Sequence, residues 1–575
     1  MQYPLEEKIG NPDLFVGRAR EFKNFGQWLA YIPEKISKSR VILARRKSGK
    51  TAFVQRVFNQ LWSQNGAVIP FYFSVPESNV WYPDFARNYY RAFASQFISF
   101  RERVPELVSK PLSLEQIRAY GVSHSIKGLV EDVDSFATDF EQGSHDLMWF
   151  TACNAPHRFA AVYDLRFLVI IDEFQYVAQH IYRDKACATK PDTSMPGSWH
   201  TLSESKIAPM LVTGSYISWL IDISRDYLEA GRLTRWYMTS SLTPDEGLQT
   251  VYKYAEICHQ PITNETAVLI NQLCLADAFF ISCVIQSNYE GKALDTVEGV
   301  INTVDYEIVS PTSELSGTWA EYIYRTLARI NDIHSKQMLL HLSKYSDRAW
   351  THHEIKTALQ LELPTEKILE RLRLLVKADL LSQGWSDIRF QGLQDGTLYL
   401  ILRHHFEEEI SSFIPDFRQD FRHEVEQLQR DKQQLQGKLN QLSGKMAEYQ
   451  LATAFRSQKR FALSKYFKGV TDKTRLNMTH VQLNVILQRP DGKVMELDVV
   501  AKSSDGRVVL VEVKKLQSKI GAQVVLDFQD KVTVYQQQYP PETVLPAILS
   551  LGGFTAEAKA LCQQYGIAIA DRMVW

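Results

Sequence analysis

The stretch from Val41 to Thr51, VILARRKSGKT, decides the fold of the larger part of this chain. It opens with apolar residues, as a short buried strand does. From Ala44 to Thr51 it matches the phosphate-loop pattern G-x-x-x-x-G-K-[ST], except that alanine replaces the first glycine. In such loops backbone N–H groups and the N-terminus of the next helix bind phosphate. The stretch therefore predicts a strand, a phosphate-binding loop and a helix.

The end of this loop predicts ATP and Mg²⁺ as cofactors. In the pattern Gly49 is part of the loop that binds the phosphates, Lys50 reaches the β- and γ-phosphates, and Thr51 holds the magnesium ion. Ala44 can replace the usual glycine only if the backbone there does not need a positive φ.

Further along the chain, the apolar run Phe167 to Ile171 is followed by Asp172 and Glu173. A nucleotide-hydrolysing site needs acids opposite the phosphates. We predict Asp172 in the shell of Mg²⁺ and Glu173 as the residue that polarises the attacking water. A buried strand that ends at an acidic helix start is the alternative, but the phosphate loop makes the nucleotide site the favoured interpretation.

Two later features are candidates for contact with the γ-phosphate. Met210 to Val212 predicts another central strand, followed by Thr213 and Ser215, either of which is a candidate sensor. The arginines that come next are Arg225, Arg232 and Arg235. Arg235 is the candidate arginine finger or lid contact, and an ordinary surface position is the alternative.

Together these segments resemble the archaeal-type ATPases of the STAND/AAA+ superclass over residues 10–325. Ala44 and Lys47 depart from the pattern of that superclass. The residues that match it are Phe15 to Arg18, Arg46, Gly49 to Thr51, Asp172 to Phe174, and Gly214 with Ser215. The resemblance implies a parallel sheet with helices on both faces and nucleotide at the carboxyl ends of the strands, where Arg46 contacts it. It also implies an ATPase core over residues 1–240 and a helical lid over 241–325.

Residues 326–410 predict a winged helix-turn-helix module, with wing turns at Gln383-Gly384 and Gln394-Asp395-Gly396. Thr365 to Lys377 is the candidate recognition helix. Its charges are mixed, whereas a DNA-reading helix is usually more basic. DNA contact and a packing role between the ATPase and the next segment both stay open.

Residues 411–446 carry apolar residues in steps of four and three, with Lys432 filling one core place, which is the heptad spacing of a coiled coil. These residues are Phe421, Val425, Leu428, Leu435, Leu439, Leu442 and Met446. A coiled coil predicts a spacer or a homo-oligomer seam, and the ATPase is a second candidate for self-association. A single amphipathic helix packed on a core is the alternative.

The stretch Met495 to Lys515, MELDVVAKSSDGRVVLVEVKK, predicts a hairpin with an Asp-Gly turn. Residues two apart in a strand share a face, so Glu512 and Lys514 lie side by side, and the paired strand can bring Asp498 to them. Two carboxylates and a lysine can hold a divalent metal and prepare a water for attack on a phosphodiester. Glu496 shares the face of Asp498 and is a competing ligand. The alternative is an ordinary hairpin with alternating charges.

The predicted order of elements over residues 440–575 resembles the restriction-endonuclease-like fold of the PD-(D/E)xK nucleases. The residues that match its motif are Asp498, the pair Glu512 and Lys514, and Glu448 on the first helix. Leu497 stands where the motif has proline. The resemblance implies that these three acids bind Mg²⁺ in a nuclease domain over residues 447–575. It also implies that Lys514 orients or helps to deprotonate the attacking water and stabilises charge on the phosphate.

A basic segment, residues 456–475, precedes the hairpin and is a candidate nucleic-acid surface. Its basic residues are Arg456, Lys459, Arg460, Lys465, Lys468, Lys473 and Arg475. The interleaved aromatic residues are Phe455, Phe461, Tyr466 and Phe467. Clustered positive charge with aromatics is typical of contact with a phosphate backbone, here most simply DNA, and a solvated basic face is the alternative.

Composition limits the number of folding units and the classes of protein to which the chain can belong. With 575 residues, 45% of them hydrophobic, and a net charge of −1, the chain predicts several globular units and excludes a globally basic nucleic-acid binder. Six cysteines without a C-x-x-C pair indicate reduced thiols. There is no apolar run of about twenty residues and no signal pattern, which predicts a cytoplasmic protein without a membrane partner.

We therefore expect an α/β multidomain protein that joins a parallel-sheet ATPase to a nuclease-like domain. The leading hypothesis is an ATP-regulated, Mg²⁺-dependent endonuclease acting on DNA, in defence or mobile-element biology. The alternative is a non-cleaving ATP-dependent DNA-binding or signalling switch.

Overall fold

The structure is a computed structural model. The structure describes residues 1–573 except 215–216, 229–231, 328–331, 384–387, 413, 490–491, 493 and 515–517, and except the side chains of 218–219, 224–226, 322, 324–327 and 436–445. The chain divides into two compact units, Met1–Arg422 and His423–Trp575. Among the described residues, no helix has both the length and the apolar character needed to cross a membrane.

Both units contain strands and helices. The strands are β1 (Arg40–Leu43), β2 (Ile69–Ser74), β3 (Val80–Trp81), β4 (Phe167–Asp172), β5 (Ile181–Tyr182), β6 (Met210–Thr213), β7 (Thr234–Tyr237), β8 (Trp350–Thr351), β9 (Leu381–Gln383), β10 (Arg389–Gly392), β11 (Arg460–Ala462), β12 (Arg475–Gln488), β13 (Val494–Ser503), β14 (Arg507–Lys514), β15 (Thr543–Ser550) and β16 (Ala568–Ala570). The helices of the first unit are α1 (Ala19–Ala30), α2 (Lys50–Gln64), α3 (Tyr82–Glu102), α4 (Glu106–Ser109), α5 (Leu114–Ser123), α6 (Lys127–Glu141), α7 (His145–Val162), α8 (Ile217–Asp226), α9 (Pro244–Ile257), α10 (Asn264–Leu273), α11 (Ala278–Ile285), α12 (Val297–Val309), α13 (Glu314–Leu327), α14 (Ile333–Lys344), α15 (His352–Ala358), α16 (Thr365–Lys377) and α17 (Gly396–Ser411). The remaining helices are α18 (Phe417–Gln458), α19 (Ala522–Gln538) and α20 (Ala556–Gln564).

The first unit is built on a five-stranded parallel sheet in the order β2-β4-β6-β1-β7. After β1 the chain crosses to β2 at the edge and returns through β4 and β6. The loops that follow β1, β4 and β6 therefore leave the same edge of the sheet next to one another, at the point where ligands bind in such sheets. This confirms the predicted α/β class and the parallel sheet.

Helices cover both faces of this sheet, and aromatic residues fill the contacts. Phe71 on β2 packs against Tyr89 and Phe93 of α3, with ring centroids 5.2 and 5.5 Å apart. The next residue, Tyr72, points the other way and contacts Phe58 of α2 at 6.4 Å. Residues 167–171 of β4 are fully buried, which explains why the run is continuously apolar.

The rest of the first unit is mostly helical, as predicted. Helices α9 to α13 occupy the range assigned to the lid. Helices α14, α15 and α16 with the three-stranded sheet β8-β10-β9 give the winged helix-turn-helix outline. One detail of the prediction was wrong: Asp395-Gly396 is not a wing turn, because the Asp395 side chain accepts a hydrogen bond from Leu398 N and caps α17. Gly384 lies outside the described residues.

Charge on the candidate recognition helix α16 is partly neutralised within the module. Lys367 pairs with Glu370 at 3.3 Å, and Arg371 pairs with Asp332 at 3.2 Å. Arg373 stays exposed. The pairing reduces the positive potential that DNA contact through this helix would need.

Helix α18 is 42 residues long, begins at Phe417 inside the range predicted as a coiled coil and runs without a break to Gln458. The predicted boundary at residues 446 and 447 thus lies inside one helix. The side chains of Leu439 and Leu442 lie outside the described part of the chain.

The second unit is a six-stranded mixed sheet in the order β11-β12-β13-β14-β15-β16. Strands β12, β13 and β14 pair antiparallel, and β14, β15 and β16 pair parallel. The predicted order of helices and strands is confirmed, and the short strand β11 was missed. The Asp505-Gly506 turn is present, with Gly506 at φ +84°, whereas Asp491 of the other predicted turn lies outside the described residues.

Candidate nucleotide and metal sites

The phosphate loop has the backbone that its glycine pattern predicts, with one substitution. Gly49 takes a φ of +81° and Lys47 a φ of +63°, so the left-handed positions lie at the end of the loop. Ala44 is buried and does not take a positive φ. Alanine is therefore compatible with this loop, because only a positive φ would require glycine.

Lys50 lies buried at the start of α2 and faces the acids at the end of β4. Burial lowers the pKa of Lys50, and the nearby carboxylates of Asp172 and Glu173 partly offset the shift. Arg46 is close enough for its charge to lower that pKa further. The structure therefore brings Lys50, Arg46, Asp172 and Glu173 together, as predicted. Thr51 follows Lys50 in the first turn of α2.

Asp172 is completely buried and is held from both neighbouring strands. Its Oδ2 accepts a hydrogen bond from the Tyr72 hydroxyl at 3.0 Å, and its Oδ1 accepts from Glu173 N at 3.0 Å. The Thr213 hydroxyl also donates to Asp172. Thr213 is one of the two candidate γ-phosphate sensors, and in the structure its hydroxyl is bonded to Asp172. Ser215, the other candidate sensor, lies outside the described residues.

Glu173 is positioned by a residue that the sequence pattern did not single out. The Gln175 side chain donates to Glu173 Oε2, and both side chains are buried. Gly214, directly after β6, leaves room for this contact: a Cβ at position 214 would clash with Gln175 Oε1. The glycine of the matched Gly214-Ser215 pair thus has a steric reason.

The phosphate loop has the chemistry to hold a nucleotide. Ser48 Oγ is buried and has no hydrogen-bond partner among the described residues. Nothing within 4 Å fills the space beside Gly49 on its Cβ side. An unsatisfied donor next to a buried ammonium fits an anion in the loop, because a buried polar group without a partner is costly.

Arg45, the second residue of the loop, is buried between two acids that lie far away in the sequence. Its guanidinium pairs with Asp277 and with Asp395. Both acids are helix N-caps: Asp277 caps α11 of the lid range and Asp395 caps α17. Trp319 of α13 covers the guanidinium at 4.9 Å from its ring centroid. The phosphate loop is thus joined to both segments that follow the ATPase core.

The structure does not bring Arg235 to the loop. It is exposed on β7, in register with Val41 in the body of the sheet and not at the carboxyl edge. Arg232 pairs with Glu204 at 2.9 Å. The side chain of Arg225 is not among those described.

In the second unit, Asp498 and Glu512 lie on paired strands, β13 and β14, as predicted. Val499 is opposite Val511, the last pair of the β13–β14 ladder, and this register brings Asp498 next to Glu512 just beyond it. Asp498 Oδ2 accepts a hydrogen bond from Val513 N at 2.6 Å. The backbone thus orients one oxygen of this acid.

Two lysines surround the Glu512 carboxylate. Lys514 Nζ lies 3.0 Å from Oε1, and Lys531 Nζ of α19 lies 2.9 and 2.8 Å from Oε1 and Oε2. Burial lowers the pKa of Lys514, but the carboxylates of Glu512, Asp498 and Glu448 outweigh it, and the pKa lies above its ordinary value. Lys531 was missed because nothing in its spacing links it to the Glu512-Val513-Lys514 motif.

Glu448 on α18 completes the set of acids. Burial and the charges of Glu512 and Glu448 raise the pKa of Asp498 to about 7. Asp498 and Glu512 offer the carboxylate oxygens that a divalent cation such as Mg²⁺ binds, and Glu448 is near enough for its charge to act on Asp498. Within the described part of the chain, no three or more acid, histidine or cysteine side chains are already arranged around one metal position, so this pair is the candidate ligand set. Glu496 is exposed on β13.

The basic segment has its charges outside and its rings inside. All its basic residues are exposed. The aromatic residues are buried: the ring centroids of Phe455 and Phe461 lie 5.0 Å apart, and Tyr466 packs against both. The expectation that these aromatics belong to the surface was wrong, because they fill the core between α18 and the sheet.

Comparison with known proteins gives distant likenesses. No protein-family profile and no curated protein sequence matches the chain. A Walker-type ATPase of Pyrococcus abyssi is similar in structure over 70% of this chain and 98% of its own, with 11% identity and a TM-score of 0.41. The ORC2 protein of Aeropyrum pernix is similar over 70% and 98%, with 12% identity and a TM-score of 0.36. A repair endonuclease of Pyrococcus abyssi is similar over 16% of this chain and 39% of its own, with 21% identity and a TM-score of 0.13.

Proposed function

We propose that this chain is an ATP-regulated, Mg²⁺-dependent endonuclease that acts on DNA. The observation that carries the proposal is the meeting of Asp498, Glu512 and Lys514 on two paired strands. Residues 1–240 bind and hydrolyse ATP under the lid, 241–325, and residues 447–575 cut. The winged module and α18 lie between them in the chain and transmit the state of the nucleotide. This is a role for a defence or mobile-element protein.

In the ATPase, each residue has a separate task. Lys50 binds the β- and γ-phosphates, and its burial strengthens that contact because little water competes with it. Asp172 and Thr51 would hold Mg²⁺, which offsets phosphate charge when bound. Glu173, fixed by Gln175, orients the attacking water and accepts its proton.

In the nuclease, Asp498 and Glu512 would hold Mg²⁺ with Glu448. The ion, when bound, polarises the phosphodiester. Lys514, whose Nζ lies 3.0 Å from Glu512 Oε1, orients the attacking water and stabilises charge on the phosphate.

DNA is the proposed substrate because the basic segment presents exposed lysines and arginines next to the metal-site helix in the sequence. With its rings buried, this segment contacts phosphates and does not stack on bases. Binding that depends on phosphates is sequence-independent and weakens steeply with salt.

Plasmid cleavage in Mg²⁺ tests the proposal. Wild type is expected to nick or linearise supercoiled DNA, and Asp498→Asn and Lys514→Met to cut at least about a hundredfold more slowly. Glu557→Gln is the matched control, an exposed acid on α20 that keeps activity. Equal cutting by wild type and both site variants would refute the assignment. Loss of ATP dependence in Lys50→Ala connects the two sites.

One contact favours a second function. Because Lys531 binds both oxygens of Glu512, the site also suits a domain that only grips DNA, in an ATP-dependent binding or signalling switch. Calorimetric titration of wild type with Mn²⁺ separates the two: DNA binding without metal binding favours the switch.

Self-association through α18 belongs to the proposal. Leu435 is 65% exposed on this helix, at a heptad position that a second copy would bury. Sedimentation is expected to show a dimer for wild type and a monomer for Leu435→Glu. Gln434→Glu adds the same charge at the neighbouring, exposed position and keeps the dimer. A monomeric wild type would contradict this part of the proposal.

A further inference from the structure

Lys531 of α19 forms the closest ion pair of the candidate metal site. Its Nζ lies 2.9 Å from Oε1 and 2.8 Å from Oε2 of Glu512, while Lys514 Nζ lies 3.0 Å from Oε1. The Glu512 side chain is 4% exposed, so water supplies little solvation. Both of its oxygens are thus satisfied by ammonium groups of the chain itself.

The pair is a specific contact and not a general feature of the helix. On α19, Asp527 lies one turn before Lys531 but accepts its hydrogen bond from Gln523 at 2.8 Å. The neighbouring Asp530 pairs with Arg489 at 2.7 Å. Within the described ranges, Glu512 is the acid that pairs with Lys531.

A divalent cation on Glu512 would compete with Lys531 for the same carboxylate. Mg²⁺ and Ca²⁺ bind carboxylate oxygens directly, at about 2 to 2.6 Å. Lys531 lies at hydrogen-bond distance from both oxygens, whereas Lys514 contacts Oε1 alone, so Lys531 is the ammonium whose charge opposes a metal ion at either oxygen.

We propose that Lys531 is a positioning residue of the metal site, an internal cation that holds Glu512 until a divalent metal displaces it. This inference rests on the proposed metal-dependent function. It adds that the chain sets its own metal threshold: displacement of the ammonium opposes binding, so the site fills at higher metal concentration than its three acids alone would require. The pair also keeps Glu512 correctly oriented and solvated before the metal arrives.

Calorimetric titration of the full chain with Ca²⁺ tests the inference without relying on cleavage. Lys531→Met removes the competing charge and is expected to tighten Ca²⁺ binding about tenfold, the size of one charge-assisted hydrogen bond. Lys531→Arg keeps the charge and is expected to bind Ca²⁺ no more tightly than wild type. Lys559→Met, an exposed lysine on α20, is the matched control and leaves the affinity unchanged.

Thermal unfolding of the same variants gives a second readout. Without metal, Lys531→Met leaves Glu512 with one ammonium fewer and lowers the melting temperature of the second unit. Saturating Ca²⁺ then raises it by more than in wild type, because binding energy is folding energy. Unchanged or weaker Ca²⁺ affinity in Lys531→Met, with binding intact in wild type, overturns the role of Lys531 alone. Absence of Ca²⁺ binding in wild type overturns the metal site and this inference with it.

Discussion

Arg45 of the phosphate loop and Asp395, the cap of α17, form a buried ion pair, and Asp277 of the lid range shares the same guanidinium. One side chain thereby connects the nucleotide-binding loop with two segments that follow the ATPase core. Asp277 and Asp395 also cap the first turns of α11 and α17. A movement of the loop that shifts Arg45 would therefore act on the N-termini of both helices.

Removal of that guanidinium leaves two buried carboxylates without their partner. Arg45→Met is expected to destabilise the first unit by about 3 kcal/mol, as is usual for a broken buried pair. A lower urea midpoint of the first unit measures the effect. Arg118→Met, which breaks an exposed pair with Asp134, is the control and leaves the midpoint unchanged. A stable Arg45→Met would show that the cluster does not hold these segments.

Glu173→Gln separates binding from hydrolysis. The amide keeps the size of the side chain but cannot accept the proton of water, so turnover is expected to fall by about 10³ while ATP affinity stays within about threefold. Lys50→Ala, by contrast, loses ATP binding. Fluorescent-nucleotide titration measures ATP affinity, and phosphate release measures turnover. Glu265→Gln, at an exposed position of α10, is the control. Hydrolysis retained by Lys50→Ala would contradict the phosphate-loop assignment.

Gly214→Ala tests the position of Gln175. The added methyl group clashes with Gln175 Oε1 and with Leu220, and the displaced amide no longer orients Glu173. Turnover is expected to fall about tenfold, with little change in ATP affinity. Gly317→Ala is the matched control, since a Cβ there meets only Pro311 O at 3.9 Å. Full activity in Gly214→Ala would place Gln175 outside the mechanism.

Restoring the motif glycine at position 44 is not expected to strengthen ATP binding. Ala44 does not use a positive φ, so Ala44→Gly is expected to leave ATP affinity within about twofold. Stability falls by up to about 1 kcal/mol, because the unfolded chain gains freedom. A large gain in affinity would mean that the loop adopts a different backbone when nucleotide binds.

The stability of the first unit depends on pH through His157. Burial lowers the pKa of this residue to about 4. The unfolded chain binds a proton near pH 6.5 and the folded chain does not, so stability falls as pH decreases from about 6.5 to 4, by up to about 3 kcal/mol. Melting temperatures across that range measure the slope. His157→Gln is expected to make it shallower without abolishing it, because burial also lowers the pKa of His405 to about 4. Exposed His124→Gln serves as control and keeps the wild-type slope.

The sequence predicted what is local. The phosphate loop, the run that ends in Asp172 and the hairpin of Asp498 and Glu512 each lie within a few residues, where strand alternation and turn chemistry determine which side chains meet. These predictions depend on short-range geometry. The parallel sheet, by contrast, was implied by the resemblance of the phosphate loop and its companion segments to the STAND/AAA+ ATPases.

Contacts between distant segments could not be predicted. Neither Arg45 with Asp395 nor Lys531 with Glu512 follows a spacing rule, because tertiary packing alone brings these residues together. The aromatics of the basic segment show the same limit, since alternating rings and charges do not reveal which of the two faces the core.

The separation of charges from rings in the basic segment affects how the protein would find its target. A surface that meets only phosphates gains the same free energy at every step along a duplex, because the phosphate spacing does not depend on sequence. Such a surface permits one-dimensional sliding without pauses at particular bases. On the proposed function, the position at which the protein stops on the duplex then depends on other parts of the chain. We propose that the ATP state of the first unit controls it.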